Sequence, residues 1–376
     1  MAGVPEQPRG PGPGRNEPEY EVIGGGLIDD QGTAERIAHD GPTLAGNPRG
    51  VFTTAAQVAW QDARTSFTSW WFWLACVVGI AAVWGAAAAL VGWADAMGWF
   101  DRQVTGAVFL IMAALSAMLA AVLGMGWGFR HPAAGPTSRT TVSSVLALSL
   151  AGLLRGLALA APAFVLLLIV GLSSGGRIAL AGVAVVVIVL ETAIFGLMGA
   201  GARACFAGVG PGVALSAALL AVLCFGNVTV TALLLPGTTG TDQASVPVNV
   251  ERDSAGEITA YQCVGDLRPV EVARTERIAW LAASNPALLL GSVGAGFVPT
   301  DSEFGWVLAG LQWAADGPSR QVPCLGGESS EALPPTVPVA VTGFALQALV
   351  AALVLIPGRW LASRRPAAGQ MEARAS

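Results

Sequence analysis

Apolar residues fill most of this chain in long unbroken runs. Six such runs, near 73–94, 104–127, 146–172, 178–199, 213–235 and 337–357, each suffice to cross a hydrocarbon core of about 30 Å at about 1.5 Å per residue. The third is long and reads as starting with a cytosolic helical turn. Short connectors join the first five runs, and a far longer stretch, 237–335, separates the fifth from the sixth. Residues 51–71 have a different pattern. Phe52, Ala56, Ala59, Trp60, Ala63, Phe67, Trp70 and Trp71 recur at helical spacing, with Gln57, Gln61, Asp62 and Arg64 between them. That pattern predicts an amphipathic helix lying in the membrane interface; the plainer alternative is a cytosolic extension of the first span. Residues 1–50, rich in Pro, Gly and acid and without an apolar run, predict a disordered cytosolic tail, and 358–376 a basic one.

Composition narrows the class. Hydrophobic residues make up 53% of 376 and charged residues only 12%. The charged share is about half that of an average soluble domain, too little to cover a globule's surface. An ordinary soluble enzyme, a disordered chain and a nucleic-acid-binding protein are thereby excluded. The fold class expected is an all-α polytopic membrane protein, with spans one to five over 73–235 and span six over 337–357. The basic residues are all Arg, and the net charge of −5 says less than where the charges fall.

Their placement predicts orientation. Arg130, Arg139 and Arg203 lie in the second and fourth connectors, and Arg359, Arg364 and Arg365 follow the sixth run; the first and third connectors hold Arg102 and Arg177 alone. The excess marks the cytoplasmic side, so both termini are expected inside a plasma membrane crossed six times. Trp70, Trp71 and Trp73 at one end of the first span, with Trp93 and Trp99 at the other, fit membrane interfaces. The region 237–335 is then extracellular, acidic, and holds Cys263 and Cys324 as its two cysteines. On the oxidising side two thiols in one small domain are expected to pair, with geometry the arbiter. Cys76, Cys205 and Cys224 are expected to be free.

Two ionisable side chains fall inside the runs, Arg155 and Glu191. Either alone costs about 2.5–3.5 kcal/mol or more near a helix centre. Counted from the inner ends of the third and fourth spans, both sit about 12–14 Å deep. A helical hairpin is expected to join them as an intramembrane ion pair, static or broken during a transport cycle. An Arg155 that snorkels to the inner surface is the alternative. Gly152 and Gly156 beside Arg155 indicate close helix packing.

Chemistry-bearing motifs are otherwise missing from the sequence. There is no GxxxxGK[ST], HExxH, GxSxG or EF-hand loop, and the scattered Cys with two His, His39 and His131, make no metal-ligand spacing. No catalytic, cofactor-binding or metal-binding residue is assigned, and the chain is not expected to be an enzyme.

The order of parts and two local stretches carry a resemblance. Residues 274–292, Arg-Thr-Glu-Arg-Ile-Ala-Trp-Leu-Ala-Ala-Ser-Asn-Pro-Ala-Leu-Leu-Leu-Gly-Ser, and the end from Gly343 to Arg365 are similar to those of actinobacterial permeases. The chain from about residue 50 thus resembles the transmembrane permease subunit of exporter-type six-helix ABC transporters. The resemblance implies that 51–71, with Phe52, Trp60, Arg64, Phe67 and Trp70, is a connecting helix beside a nucleotide-binding subunit. It implies that the connector with Arg130, His131 and Arg139 couples to that subunit, although these residues serve equally as topology signals. It places Asn285 and Pro286 in the outer helices before the last span. The implied partners are a P-loop ATPase subunit that holds ATP and Mg, a second permease copy or close relative, and membrane lipid, with no nucleic acid. A membrane sensor or scaffold with an extracellular ligand-binding domain is the rival reading.

Overall fold

The computed structural model describes residues 48–98, 104–130, 141–173, 178–252, 258–298, 305–327 and 337–365. The tail expected over 1–50 lies almost wholly outside the described residues, as do His131 and Arg139. Contacts divide the chain into Met1–Val51, described only over the opening turn of a helix, and Phe52–Ser376.

That first helix, α1, runs Pro48–Phe67. Its buried positions are Ala55, Ala59 and Ala63, a small-residue stripe at one-turn spacing, while Phe52 and Trp60 are exposed. The helix stops four residues short of the predicted end. Thr68 and Ser69 bond back to Arg64 and Ser66 carbonyls at 3.0 Å, and extended Ser69 starts the next helix, α2, Trp70–Ala96. The Trp73 indole N–H donates to the Phe67 carbonyl at 2.9 Å, satisfying one of the acceptors left open at the end of α1. Trp70, expected in the interfacial helix, therefore belongs to the first span. A two-residue break inside a continuous aromatic run leaves the hydrophobic pattern unchanged, which is why periodicity alone misses it.

Helices α3 (Val104–Arg130), α4 (Thr141–Ser173) and α5 (Ile178–Cys205) follow. The fifth apolar run is composite: α6 (Val209–Ala221), one π-helical turn (Val222–Gly226), α7 (Asn227–Leu234) and a 3-10 turn (Leu235–Thr238). Next come two strands, β1 (Thr239–Arg252) and β2 (Ile258–Ala273), paired antiparallel from Thr239 opposite Ala273, with irregularities after Ala244 and Val248. This hairpin adds a small sheet to the helical architecture that was expected. Two short helices, α8 (Glu276–Ala283) and α9 (Pro286–Gly294), then meet at a bend of 109°. The short helices α10 (Gly305–Asp316) and α11 (Pro318–Gln321) lead to α12, Val339–Ser363. All six predicted runs are thus helices long and apolar enough to cross a membrane, the makeup of a multi-pass membrane protein.

The fourth of these, α5, is the axis of the bundle. Its apolar window is 56% buried, against 17% for the fifth, and α3, α4 and α12 pack around it. Small residues permit the approach. A Cβ at Gly152 would lie 2.9 Å from the Ala193 Cα, and one at Gly156 2.9 Å from the Val189 Cα. The packing role read for these glycines is what the α4–α5 crossing shows. Helix α9 inserts Leu289 and Leu290, both fully buried, into a cluster with Phe109, Val187 and Leu180. The bent pair is therefore seated among the long helices rather than laid over them.

Candidate functional site

Polar groups inside this apolar bundle gather in two places. The first joins α1 to α4. The Arg155 guanidinium donates through Nη2 to Asp62 Oδ2 at 2.8 Å and through Nε to Ser66 Oγ at 3.0 Å. Its side chain is 8% exposed and that of Asp62 is 23% exposed. The pairing expected between Arg155 and Glu191 is not formed. The two residues point to different sides. Helix α5 turns Val189 and Ala193 toward α4, and Glu191 lies two residues from each, about 200° around the helix. Arg155 instead reaches α1, whose Asp62 and Ser66 are one turn apart and share a face. Phe67, next on that helix, packs edge-on against Phe72 at 5.5 Å, and Phe72 stacks near Trp127 at 4.8 Å. Arg155 also lines a narrow crevice with Gly124, Gly128, Gly152 and Gly196.

The second place is the bend between α8 and α9. Asn285 caps α9: its Oδ1 accepts from the backbone N–H groups of Ala287 and Leu288 at 3.0 and 3.2 Å, with Pro286 at the first helical position. Its Nδ2 donates to the carbonyls of Cys224 at 2.7 Å and Leu223 at 3.3 Å. These carbonyls belong to the π-helical turn, where the widened ladder leaves acceptors reachable from outside. Asn227 Nδ2 donates to Ser284 Oγ at 3.1 Å, and Ser284 Oγ donates to the Leu281 carbonyl. Above this corner Gln347 of α12 donates through Nε2 to Glu191 Oε1 at 2.9 Å and to the Ser284 carbonyl at 3.0 Å. Glu191 and Gln347 are fully buried. One amide thus ties together α5, α12 and the bent pair.

Asn285→Ala is accordingly expected to lower stability by about 2–3 kcal/mol, the sum of a lost cap and the lost buried bonds to the Leu223 and Cys224 carbonyls. Thermal unfolding in detergent measures it. Maleimide labelling of buried Cys224 should rise in parallel, and an unchanged midpoint would refute the clamp.

Other expected residues fall as follows. Cys263 and Cys324 form a disulfide with a Cα separation of 5.5 Å, joining β2 to the turn that pairs with Ala244. Cys76, Cys205 and Cys224 are free. Arg130 ends α3 and is exposed, like Arg64 on α1. The basic helix ends meet at one pole of the bundle: Arg359 bonds Ser144 at the start of α4, and Arg365 bonds the Cys205 carbonyl at the end of α5 at 2.6 Å. Within the quoted motif, Arg274 pairs with Asp242 at 2.7 Å and the Thr275 hydroxyl donates to the Ala314 carbonyl at 2.7 Å, so these two anchor the bent pair to its neighbours.

Sequence reasoning passed over Gln347, Asn227, Ser284, Asp62 and Ser66 as partners. The usable signal for Gln347 was its isolation, one amide in the apolar run from Gly343 to Ile356. No protein-family model matches the chain, and no curated protein matches it.

Proposed function

We propose that the chain is the membrane-spanning permease subunit of an exporter-type ABC transporter. In this reading it lines the cargo path and takes its power from a separate P-loop ATPase subunit, which binds ATP and Mg. The observation that carries the reading is the bond from Asp62 and Ser66 to Arg155. An ATPase can move membrane helices only through a rigid contact, and the last two turns of α1 are bonded to the middle of the third span. The order of parts agrees: amphipathic helix, five spans, an insertion with a bent helix pair, then a sixth span with a basic end. In this reading both termini are in the cytoplasm of a plasma-membrane protein, which is supported by Arg-bearing helix ends that share one pole. In the same reading the hairpin is on the oxidising, outer side, and its disulfide supports that. The crevice beside Arg155 has room for about one water molecule, so the cargo path is assigned to the boundary between two permease copies, or one copy and a close relative.

The test is purification of a tagged full-length chain from native membranes. A P-loop ATPase should co-elute, and the chain stripped of it should not hydrolyse ATP. Steady turnover by the stripped chain refutes the reading, as does recovery of a kinase or transcriptional regulator in place of an ATPase. The second outcome would favour the sensor. Within the complex, Asp62→Asn should slow ATP-driven transport while co-elution persists.

A further inference from the structure

We infer that Glu191 holds a proton and shares it with the Gln347 amide, forming a buried acid–amide pair that fastens the α8–α9 corner to the fourth and sixth spans. The proposal concerns a proton-binding site and does not depend on the permease reading.

It follows from counting donors. The Gln347 amide nitrogen has two hydrogens, and Glu191 Oε1 and the Ser284 carbonyl take both. Two buried oxygens remain without a hydrogen-bond partner, Glu191 Oε2 and Gln347 Oε1. Turning the amide over does not help, since Oε1 would then face two acceptors. With Glu191 ionised, both orphans are acceptors and neither can serve the other. A single hydrogen on Glu191 Oε2 supplies the missing donor. Carboxylic acid and primary amide are complementary planar groups, each offering one donor and one acceptor along a shared edge.

Charge placement leads to the same result. Among the described residues no cation faces Glu191 from an element packed against it. Over their membrane-embedded lengths α3, α6, α7, α9 and α12 carry no ionisable side chain apart from terminal Arg130 and Arg359. On α4, Arg155 is spent on Asp62 from the far side of the bundle. Glu276 and Arg277 lie at the start of α8, two turns from the bend. Cys224, buried in the π-helical turn, is a thiol and offers no counter-charge. A carboxylate here would be a buried, unpaired charge, whereas the acid form needs only the partner it already touches. Loss of the proton would set like acceptors side by side, turn the Gln347 amide away, and release the Ser284 carbonyl. The proton is thus positioned to control how tightly the bent pair is held.

Infrared spectroscopy of the full-length protein in lipid nanodiscs at neutral pH tests this. The wild type should show the C=O stretch of a protonated carboxyl, shifted down in D2O and lost in Glu191→Gln. That variant puts an N–H where the acid has its O–H, and it should fold. In Gln347→Leu the acid band should move to higher frequency, because its acceptor is gone. A wild-type-minus-Glu191→Gln difference containing only carboxylate bands overturns the proposal. If Glu191→Gln does not fold, Gln347→Leu decides alone, and an unmoved acid-carbonyl region overturns the proposal equally.

Discussion

Asp62→Ala is expected to cost about 3 kcal/mol of folding stability, although Asp62 lies outside every apolar span. The reason is what it leaves behind. Arg155 is 8% exposed, so its positive charge is held away from water. Without Asp62 it retains one hydroxyl, Ser66 Oγ, and no counter-charge. Arg155→Met should cost less, because Asp62 is 23% exposed and its carboxylate reaches water. The double variant Asp62→Leu with Arg155→Met should recover most of the loss, since a well-packed apolar pair often matches a buried ion pair. A double-mutant cycle in detergent, read by thermal or denaturant unfolding, gives the coupling directly. The pair Arg274–Asp242 supplies the contrast: its distance is 2.7 Å, but its side chains are 37% and 31% exposed. Coupling there should be about 1 kcal/mol or less. Equal couplings at the two sites would show that burial does not set the strength of the α1–α4 bond.

The same pair marks what was legible beforehand. That Arg155 and Glu191 fall within apolar runs was legible from the sequence, and both are buried in the bundle. Their directions did not follow, because azimuth depends on which helix each one packs against, and the glycine contacts that turn Val189 and Ala193 toward α4 are tertiary facts. The six apolar helices were legible because their length and composition suffice without partners. The bent pair was hidden for the opposite reason. Helices of eight and nine residues are too short to register as spans, and the corner at Ser284, Asn285 and Pro286 becomes apolar-tolerant only when π-turn carbonyls and Asn227 meet its polar groups. The hairpin was missed because bulges after Ala244 and Val248 break the two-residue alternation. Cys263 and Cys324 were legible because compartment and cysteine count constrain them without any knowledge of the strands.

Gly128→Val should have the largest effect of any single substitution in the bundle, with a loss above about 3 kcal/mol or failure to accumulate in membranes. A Cβ there would collide with the carbonyl of Gly196 and lie 2.8 Å from its Cα, and the obstacle is helix backbone rather than a side chain that can turn aside. The contact repeats one turn earlier, where a Cβ at Gly124 would lie 2.6 Å from the Thr192 carbonyl oxygen. Helices α3 and α5 therefore meet along a ridge with no room for a methyl group. In an apolar solvent such close backbone packing is a main source of helix association, since burying apolar surface from lipid gains little. Gly126 is the control. It is two residues from Gly128, exposed, and has nothing within 4 Å of where a Cβ would stand. Gly126→Ala should be neutral or stabilising by up to about 1 kcal/mol, the helix-propensity difference. Expression level and thermal midpoint of the two variants, measured side by side, check the argument. If Gly128→Val tolerates heat as well as Gly126→Ala, the α3–α5 contact is not the axis on which the bundle is built. Glu191 and Gln347, held on the far side of that axis, would then need another account of how they come within 2.9 Å.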